Sequence, residues 1–504
     1  MLDMLNDLLW GRVLLVLLVG VGIGFTVASR FVQFRYFGQM FRILGSGQAF
    51  KRNQHGHLSS FQALVLSVAG RVGGGNIAGV AVAITLGGPG AIFWMWIVGL
   101  MGMATSFLEC TLAQTYKQAE GDGTYRGGPA YYIVKGLGKQ WRWLAAFYSV
   151  LLLLTFGFAF TALQSYAVAT SFGDAFGVPV LYSGIALAML VGLIIFGGIK
   201  RIARISEFLV PFMAVGYIAV ALLVIAMNLG DIPAVIALIV KSAFGLEPLV
   251  GGGIGAAIMM GLKRGLFSNE AGLGSAPNVA AVAYVPHPAN QGIVQAFSVF
   301  IDTVIICSAT AFLILLSGVY DPAAGAGVEG IALTQAALAD HVGEWGRTFV
   351  SLALLLFAFS TILYNYYLGE NSLNFFSRDN QNLFNAFRVA IVLLVCWGAT
   401  TDLGTVFGFA DVTMGLLAVV NLVALILLFK CGLRILNDFD RQRRADARGV
   451  ESTDRGAGSP LAGLRCLRDS ARHRYHGLQC VGAVVHARGL EQAGDLHRLS
   501  NSAG

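Results

Sequence analysis

The chain has 504 residues, 56% of them hydrophobic and 12% charged, with a net charge of +7 and a mean hydropathy of +0.71. A soluble protein carries about 25% charged residues, so this composition excludes an ordinary soluble domain and points to a polytopic membrane protein. The positive balance does not indicate nucleic acid, because Lys and Arg sit in short loops between apolar runs, where they set membrane topology.

In chain order, the apolar run at 13–28 follows Asp3 and Asp7, with Arg12 as the only positive charge. That is a poor signal-peptide leader, and the run reads as an uncleaved first span. A crossing needs about 20 apolar residues. Eleven spans are predicted, at about 10–28, 62–86, 90–116, 143–171, 180–198, 206–228, 249–284, 290–318, 347–369, 383–399 and 405–429. The loops alternate in charge. Arg30, Arg35, Arg42, Lys51 and Arg52 fall in 29–61, five more basic residues in 117–142, and Lys200, Arg201 and Arg204 in 199–205. The intervening loops 87–89, 172–179, 319–346 and 400–404 have none, and only Lys241 stands on the poor side. The positive-inside rule then predicts an outside N-terminus, a cytoplasmic C-terminus and an odd span count. Cys110, Cys307, Cys396 and Cys431 are scattered singly and read as core residues rather than disulfides.

Two spans are unusual. "RVGGGNIAGV" at 71–80 places four glycines, an arginine and an asparagine inside a membrane run. The segment 249–284, containing "GLKRGLFSNEAGLGSAP", is too long for one simple crossing. Either its helix ends near Leu262 and an inner loop follows, or it breaks at "FSNE" and resumes. In the second reading the two Gly-rich segments become helices one and six of ten once the first span is set aside. Interrupted helices in corresponding places of two halves point to a transporter binding site. Helix N-termini suit a carboxylate, and freed carbonyls suit a sodium ion or an ammonium group. Gly75 and Gly79 also form a small-xxx-small pair, which can serve helix packing alone.

Ionisable residues within the spans are Arg71, Glu109, Glu207, Glu270, Asp302 and Asp411. Such charges mark function by default. Glu109, Glu207 and Asp411 lie close enough to span ends to read as structural. Arg71 and Glu270 flank the two breaks and are expected to hold them in shape through buried partners. No span carries HExxH, a paired-Asp motif or another nucleophile-and-base arrangement, which argues against an enzyme.

"GNIAGVAVAITLGGPGAIFWMW" (75–96), "GLFSNEAGLGSAP" (265–277) and "DGTYRGGPAYYI" (122–133) closely resemble the alanine or glycine:cation symporter family of prokaryotes, and the likeness covers residues 1 to about 445. The resemblance implies an all-α fold of eleven transmembrane helices: the five-plus-five inverted repeat of the leucine-transporter type, with one extra N-terminal helix. It divides the chain into 1–61 (first helix and basic cytoplasmic loop), 62–228 (first repeat), 229–248 (extracellular connection), 249–429 (second repeat) and 430–504 (basic, disordered cytoplasmic tail). It implies that amides around Gly74, Gly75 and Asn76 meet the substrate carboxylate and that Gln164 reaches it from the side. The Phe267 carbonyl and the Asn269 side chain would face the ammonium. For sodium it implies the carbonyls of Ala69 and Val72 with Ser360 and Thr361. Phe357, Ser360 and Thr361 lie at i, i+3 and i+4, on one helix face. Hydrogen bonding of Ser360 and Thr361 to the preceding turn, and helix–helix bonding by Gln164, are the plainer readings.

Two departures from the family stand out. Gly74 replaces a Thr or Ser of many members, and Tyr364 stands where many carry Gly or Trp nearby. After Arg444 the sequence resembles a reading-frame change, and Cys466, His473, His476 and Cys480 make a poor zinc set. The expected activity is sodium-coupled uptake of alanine, glycine or both at the plasma membrane, with no nucleic-acid partner. Proton coupling, exchange, and an amino-acid sensor that binds without transporting are the alternatives.

Overall fold

In hydrocarbon an unbonded N–H or C=O is prohibitive, so long apolar runs must close their hydrogen bonds internally as helices. A computed structural model of the protein describes residues 2–45, 58–120, 124–246, 253–320, 330–401 and 403–447. It opens with α1 (Met4–Ala28), followed by the short helices Val32–Arg35 and Phe37–Gly45. Helix α2 (Ser60–Arg71) starts at a capping box in which Ser59 Oγ accepts from the Gln62 N–H and Gln62 Oε1 accepts from the Ser59 N–H. Helix α3 (Gly75–Gly87) continues it with a bend of 51°. Then come α4 (Gly90–Tyr116), α5 (Lys139–Phe176), α6 (Val180–Ile195), α7 (Gly198–Met227) and α8 (Ile232–Ala243). The second half has α9 (Gly253–Asn269), α10 (Ser275–Ala280), α11 (Pro288–Leu315), α12 (Gly330–Val342), α13 (Trp345–Phe376), α14 (Gln381–Ala399) and α15 (Leu403–Ala447).

Among the described residues, eight helices are long and apolar enough to cross a membrane, and the bent α2/α3 pair makes nine. The other two expected spans are present as shorter pieces. Helix α6 has 16 residues, and α9 has 17 before its break. Two stretches expected as loops are partly helical. Helix α8 lies in the 229–248 connection and α12 in the 319–346 loop. Helix α8 steadies the start of α4, because Ser242 Oγ accepts from the Gly90 N–H at 3.0 Å.

The helices pack in two groups. Helix α4 lies against α9 and α11, while α5 lies against α13 and α14, with α6 on α14. Helix α2 bridges them, packing on α11 of the first group and α13 of the second, with α7 alongside. Outward residues such as Phe208, Phe212 and Leu193 stay exposed, as lipid contact requires.

The loop after α4 forms a two-stranded hairpin, β1 (Gln118–Ala119) with β2 (Tyr125–Arg126). Arg126 of β2 pairs with Glu370 of α13 at 3.1 Å, and Arg388 of α14 reaches the same carboxylate at 3.5 Å. Asn371 beside it donates to the Gly127 carbonyl at 2.9 Å and to Asn278 Oδ1 at 2.6 Å. These contacts tie the end of the second broken helix to α13.

Helix α15 runs on to Ala447, so 430–447 is helix rather than the start of a tail. Its extension is held by tertiary contacts: Arg35 pairs with Asp440 at 2.9 Å, and the Tyr36 and Phe439 rings are 5.7 Å apart. The suspected frame change, with Cys466, His473, His476 and Cys480, lies outside the described residues. Cys110, Cys307 and Cys396 are free thiols. Cys431 lies on α15 with its Sγ 3.4 Å from the Tyr116 hydroxyl.

Removing one member of a buried ion pair strands its partners. Glu370→Ala should therefore cost on the order of 3–5 kcal/mol, read as a lower unfolding midpoint of the detergent-purified protein. Arg347→Ala, whose partner Glu344 is 86% exposed at the side chain, should leave the midpoint nearly unchanged.

Candidate functional site

The first break reassigns the backbone bonds of α2. In an unbroken helix the Ala69 carbonyl would accept from the Gly73 N–H, and the Val72 carbonyl from the Asn76 N–H. Val72 is instead extended, with φ −83° and ψ 96°. The Gly73 N–H turns to Asn76 Oδ1 at 2.9 Å, and the Asn76 N–H to the Gly73 carbonyl at 3.1 Å. Helical winding resumes with a wider π-type turn over Gly75–Gly79.

The two freed carbonyls meet α13. Thr361 Oγ1 lies 2.9 Å from the Ala69 oxygen, 3.3 Å from that of Val72 and 2.9 Å from that of Phe357. Ser360 Oγ lies 2.9 Å from the Phe357 oxygen and 3.5 Å from that of Ala69. Each hydroxyl has one proton to give, so two protons serve three carbonyls. All five residues are buried. Oxygen lone pairs thus outnumber donors in a buried cluster, which is the donor chemistry a small hard cation takes. The five residues expected for sodium, Ala69, Val72, Phe357, Ser360 and Thr361, are brought together. The turn-capping bonds of Ser360 and Thr361 are present as well, so the plainer reading of those hydroxyls describes part of what they do.

Each glycine of the break answers a different neighbour. A Cβ on Gly73 would stand 2.7 Å from Thr361 Oγ1, one on Gly74 3.1 Å from Gln164 Oε1, and one on Gly75 2.9 Å from the Phe267 ring. A Cβ on Gly79 would meet nothing within 4 Å. The Gly75/Gly79 pair is therefore no close-packing seam. The Gly74 N–H, expected to face a carboxylate, donates to Gln164 Oε1 at 2.9 Å.

The second helix also breaks, and it does so within "FSNE", at Glu270. Helix α9 continues through Asn269, and the chain then turns with positive φ at Glu270 (54°), Gly272 (93°) and Gly274 (80°). Two of these are glycines, for which the left-handed region carries no Cβ penalty. Asn269 Oδ1 caps the break by accepting from the Ala271 N–H at 3.0 Å, and its Nδ2 is buried without a partner. Asn269 therefore offers a spare donor, where the ammonium end of a substrate needs an acceptor. The Phe267 ring packs 4.7 Å from that of Phe160.

Buried polar groups brace both breaks. Arg71 donates to the Gln295 carbonyl at 3.2 Å, to Ser106 Oγ at 3.0 Å and to Ser298 Oγ. Glu270 accepts from Ser275 Oγ at 2.5 Å and from the Tyr364 hydroxyl at 3.2 Å, across the second break. Both have the buried partners expected of them. Glu207 and Asp411 are paired, with Gln62 Nε2 at 2.8 Å and Lys263 Nζ at 2.5 Å.

Sequence reasoning missed three partners. Glu109, read as near a span end, is fully buried; it accepts from the Gly272 N–H at 3.4 Å and from Asn421 Nδ2 at 3.1 Å. Its depth, seven residues before the end of α4, was the available signal. Asp302 is marked by the sequence only as an intramembrane charge. It accepts from Asn76 Nδ2 at 2.6 Å, Ser268 Oγ at 2.8 Å and Thr303 Oγ1 at 2.8 Å. It thereby joins the first break to the turn of α9 just before the second. Ser268 carried no signal of its own.

Two interrupted helices joined at mid-bundle, inside a shell of continuous apolar helices, define a multi-pass secondary transporter. The structure shares the fold of MhsT, solved in complex with L-phenylalanine, at a TM-score of 0.55 and 14% identity, covering 84% of this chain and 97% of that one. This is the leucine-transporter type of fold. The profile of the sodium:alanine symporter family matches residues 1–453, and the chain belongs to that family. It is 48% identical to the Bacillus subtilis protein named "Probable sodium/glutamine symporter GlnT", over 87% of this chain and 90% of that one. It is 46% identical to "Amino-acid carrier protein AlsT" of the same organism, over 87% and 91%. The "Sodium/proton-dependent alanine carrier protein" of Bacillus sp. (strain PS3) is 39% identical, over 76% and 88%. The protein is thus a secondary amino-acid transporter of the prokaryotic plasma membrane, not an enzyme.

The glycine contacts separate two substitutions of the same size. Gly75→Ala should lower the unfolding midpoint, at about 1–3 kcal/mol for overpacking against Phe267. Gly79→Ala should leave it unchanged or slightly raised, since Ala is the better helix former.

Proposed function

We propose that the protein couples the inward movement of sodium to uptake of a small neutral amino acid, alanine, glycine or both, by alternating access. The observation that carries this reading is the meeting of the freed Ala69 and Val72 carbonyls with Ser360 and Thr361. These oxygens with that of Phe357 would hold the ion between α2 and α13. The ion would then stabilise the break itself, replacing the hydrogen bonds that its carbonyls have lost.

The substrate would lie between the two breaks. Its carboxylate would take over the Gly74 N–H from Gln164, whose side chain would turn to bind it, with the amides of Gly75 and Asn76 close by. Its ammonium would face the Phe267 carbonyl. The Asn269 amide would border the site, turning its oxygen to the ammonium only by releasing Ala271. The repeats would run over 62–228 and 249–429 around this site, with the N-terminus outside and the C-terminus in the cytoplasm. One group of helices would rock against the other to open the site inward. Each inward positive charge gains about 2.3 kcal/mol per 100 mV of membrane potential.

Proton coupling is the second reading. Asp302 favours it, as a buried carboxylate that touches both broken helices and is bonded by neutral groups. A proton there would loosen the same joint.

Labelled alanine should accumulate in proteoliposomes only under an inward sodium gradient. Equal uptake with sodium on neither side refutes sodium coupling, and uptake that follows a pH gradient alone establishes the second reading. Glycine, D-alanine, serine and glutamine as competitors rank the substrates. Thr361→Val, which keeps the shape and removes Oγ1, should raise the sodium concentration for half-maximal uptake by about tenfold or more, as expected for loss of a contact to a charged group.

A further inference from the structure

Helix α9 carries two adjacent basic residues with different surroundings. Lys263 pairs with Asp411 at 2.5 Å and lies 5.8 Å from the ring centre of Trp10. Among the described residues Arg264 has no carboxylate partner. It is 7% exposed, and its Nε and Nη1 are buried and bonded to nothing. Its guanidinium carbon lies 5.8 Å from the ring centre of Phe267 and 5.2 Å from that of Phe407. An arginine keeps its charge in any protein environment. The rings stabilise that charge through their faces, but they leave in-plane N–H donors open. A guanidinium fork with open donors matches a carboxylate in shape and charge.

Its place in the fold connects it to the site. Arg264 is three residues before Phe267, on the same face of α9. The Phe267 ring in turn stands against Gly75 of the first break. One aromatic ring therefore separates the guanidinium from the point where the two broken helices face each other.

We propose that Arg264 is a carboxylate-binding residue on the access route to the site. It takes the carboxylate of an incoming amino acid at an outer position, and the amino acid passes on to the broken helices when Phe267 moves aside. This rests on the reading of the protein as an amino-acid transporter. Two other anions could answer the same donors. One is chloride. The other is Asp411, four residues after Phe407 on α15, whose Oδ1 is also buried without a partner.

The test uses the full chain in proteoliposomes, with alanine, with alaninamide (the same molecule lacking the carboxylate) as competitor, and with chloride or gluconate as bulk anion. Arg264→Gln should raise the alanine concentration for half-maximal uptake by about tenfold, the effect of losing a charge-assisted bond. It should leave the sodium dependence within about twofold. The preference of the wild type for alanine over alaninamide should shrink by the same factor, and Arg264→Lys should recover part of it. Wild-type affinity and preference in a folded Arg264→Gln protein overturn the proposal. So does an equal loss for alanine and alaninamide, which a pairing with Asp411 would produce, and so does a chloride dependence of the wild type that the variant abolishes. If neither variant folds, phenylglyoxal labelling of Arg264 in the wild type, read by peptide mapping, replaces them. Alanine should slow it and alaninamide at equal occupancy should not; equal protection, or none, overturns the proposal. A wild type that transports a different amino acid corrects the substrate assignment only, because the same test then runs on that amino acid and its amide.

Discussion

The hydrogen bond from the Gly73 N–H to the side-chain oxygen of Asn76 is the contact on which the first break depends. Inside a bilayer a helix cannot open unless every backbone group it releases finds another partner. By taking one N–H out of the ladder, Asn76 releases the carbonyl of Ala69. By turning its own N–H to Gly73, it releases that of Val72. Both carbonyls then meet hydroxyls that have too few protons for all the oxygens around them. The oxygen pocket is thus a direct consequence of where two N–H groups have gone.

The same side chain reaches the other half of the molecule. Its Nδ2 donates to Asp302 and, at 3.0 Å, to Ser268. The amide cannot be flipped, since that would turn its oxygen toward a carboxylate and leave the Gly73 N–H unpaired. One residue therefore senses the first break with its acceptor and the second helix with its donor. Anything that displaces Asn76 disturbs both helices, which gives an ion at one break a physical means of acting on a substrate held by both. The carboxylates of Glu109 and Glu270 play the corresponding part at the second break, where the Gly272 N–H and the Ser275 and Tyr364 hydroxyls keep a left-handed turn in place.

Much of this was legible in the chain itself. The run of glycines at 73–75 announced a break, because only a backbone without Cβ tolerates three close neighbours there. The spacing of Phe357, Ser360 and Thr361 announced a polar face on an otherwise apolar helix. Other parts were not legible. Glu109 looks like an end-of-span residue until the turn at Gly272 is set beside it. Ser268 is an unremarked serine until Asp302, 34 residues on, accepts its proton. Asn269 read as a ligand, but the local geometry of the turn uses its oxygen as a cap.

Hydrophobic runs, charge alternation and glycine placement are properties of neighbouring residues, so the sequence by itself determined the membrane class, the apolar spans and the first break, while it left the second break open against an inner loop and read α8 and α12 as loops. The destination of each released backbone group was decided only by the tertiary structure. A carbonyl at Ala69 and a hydroxyl at Thr361 are 292 positions apart, and whether they meet depends on how α2, α7 and α13 pack. No local pattern encodes that distance. It follows from the joint requirement that every buried polar group in the bundle find a partner.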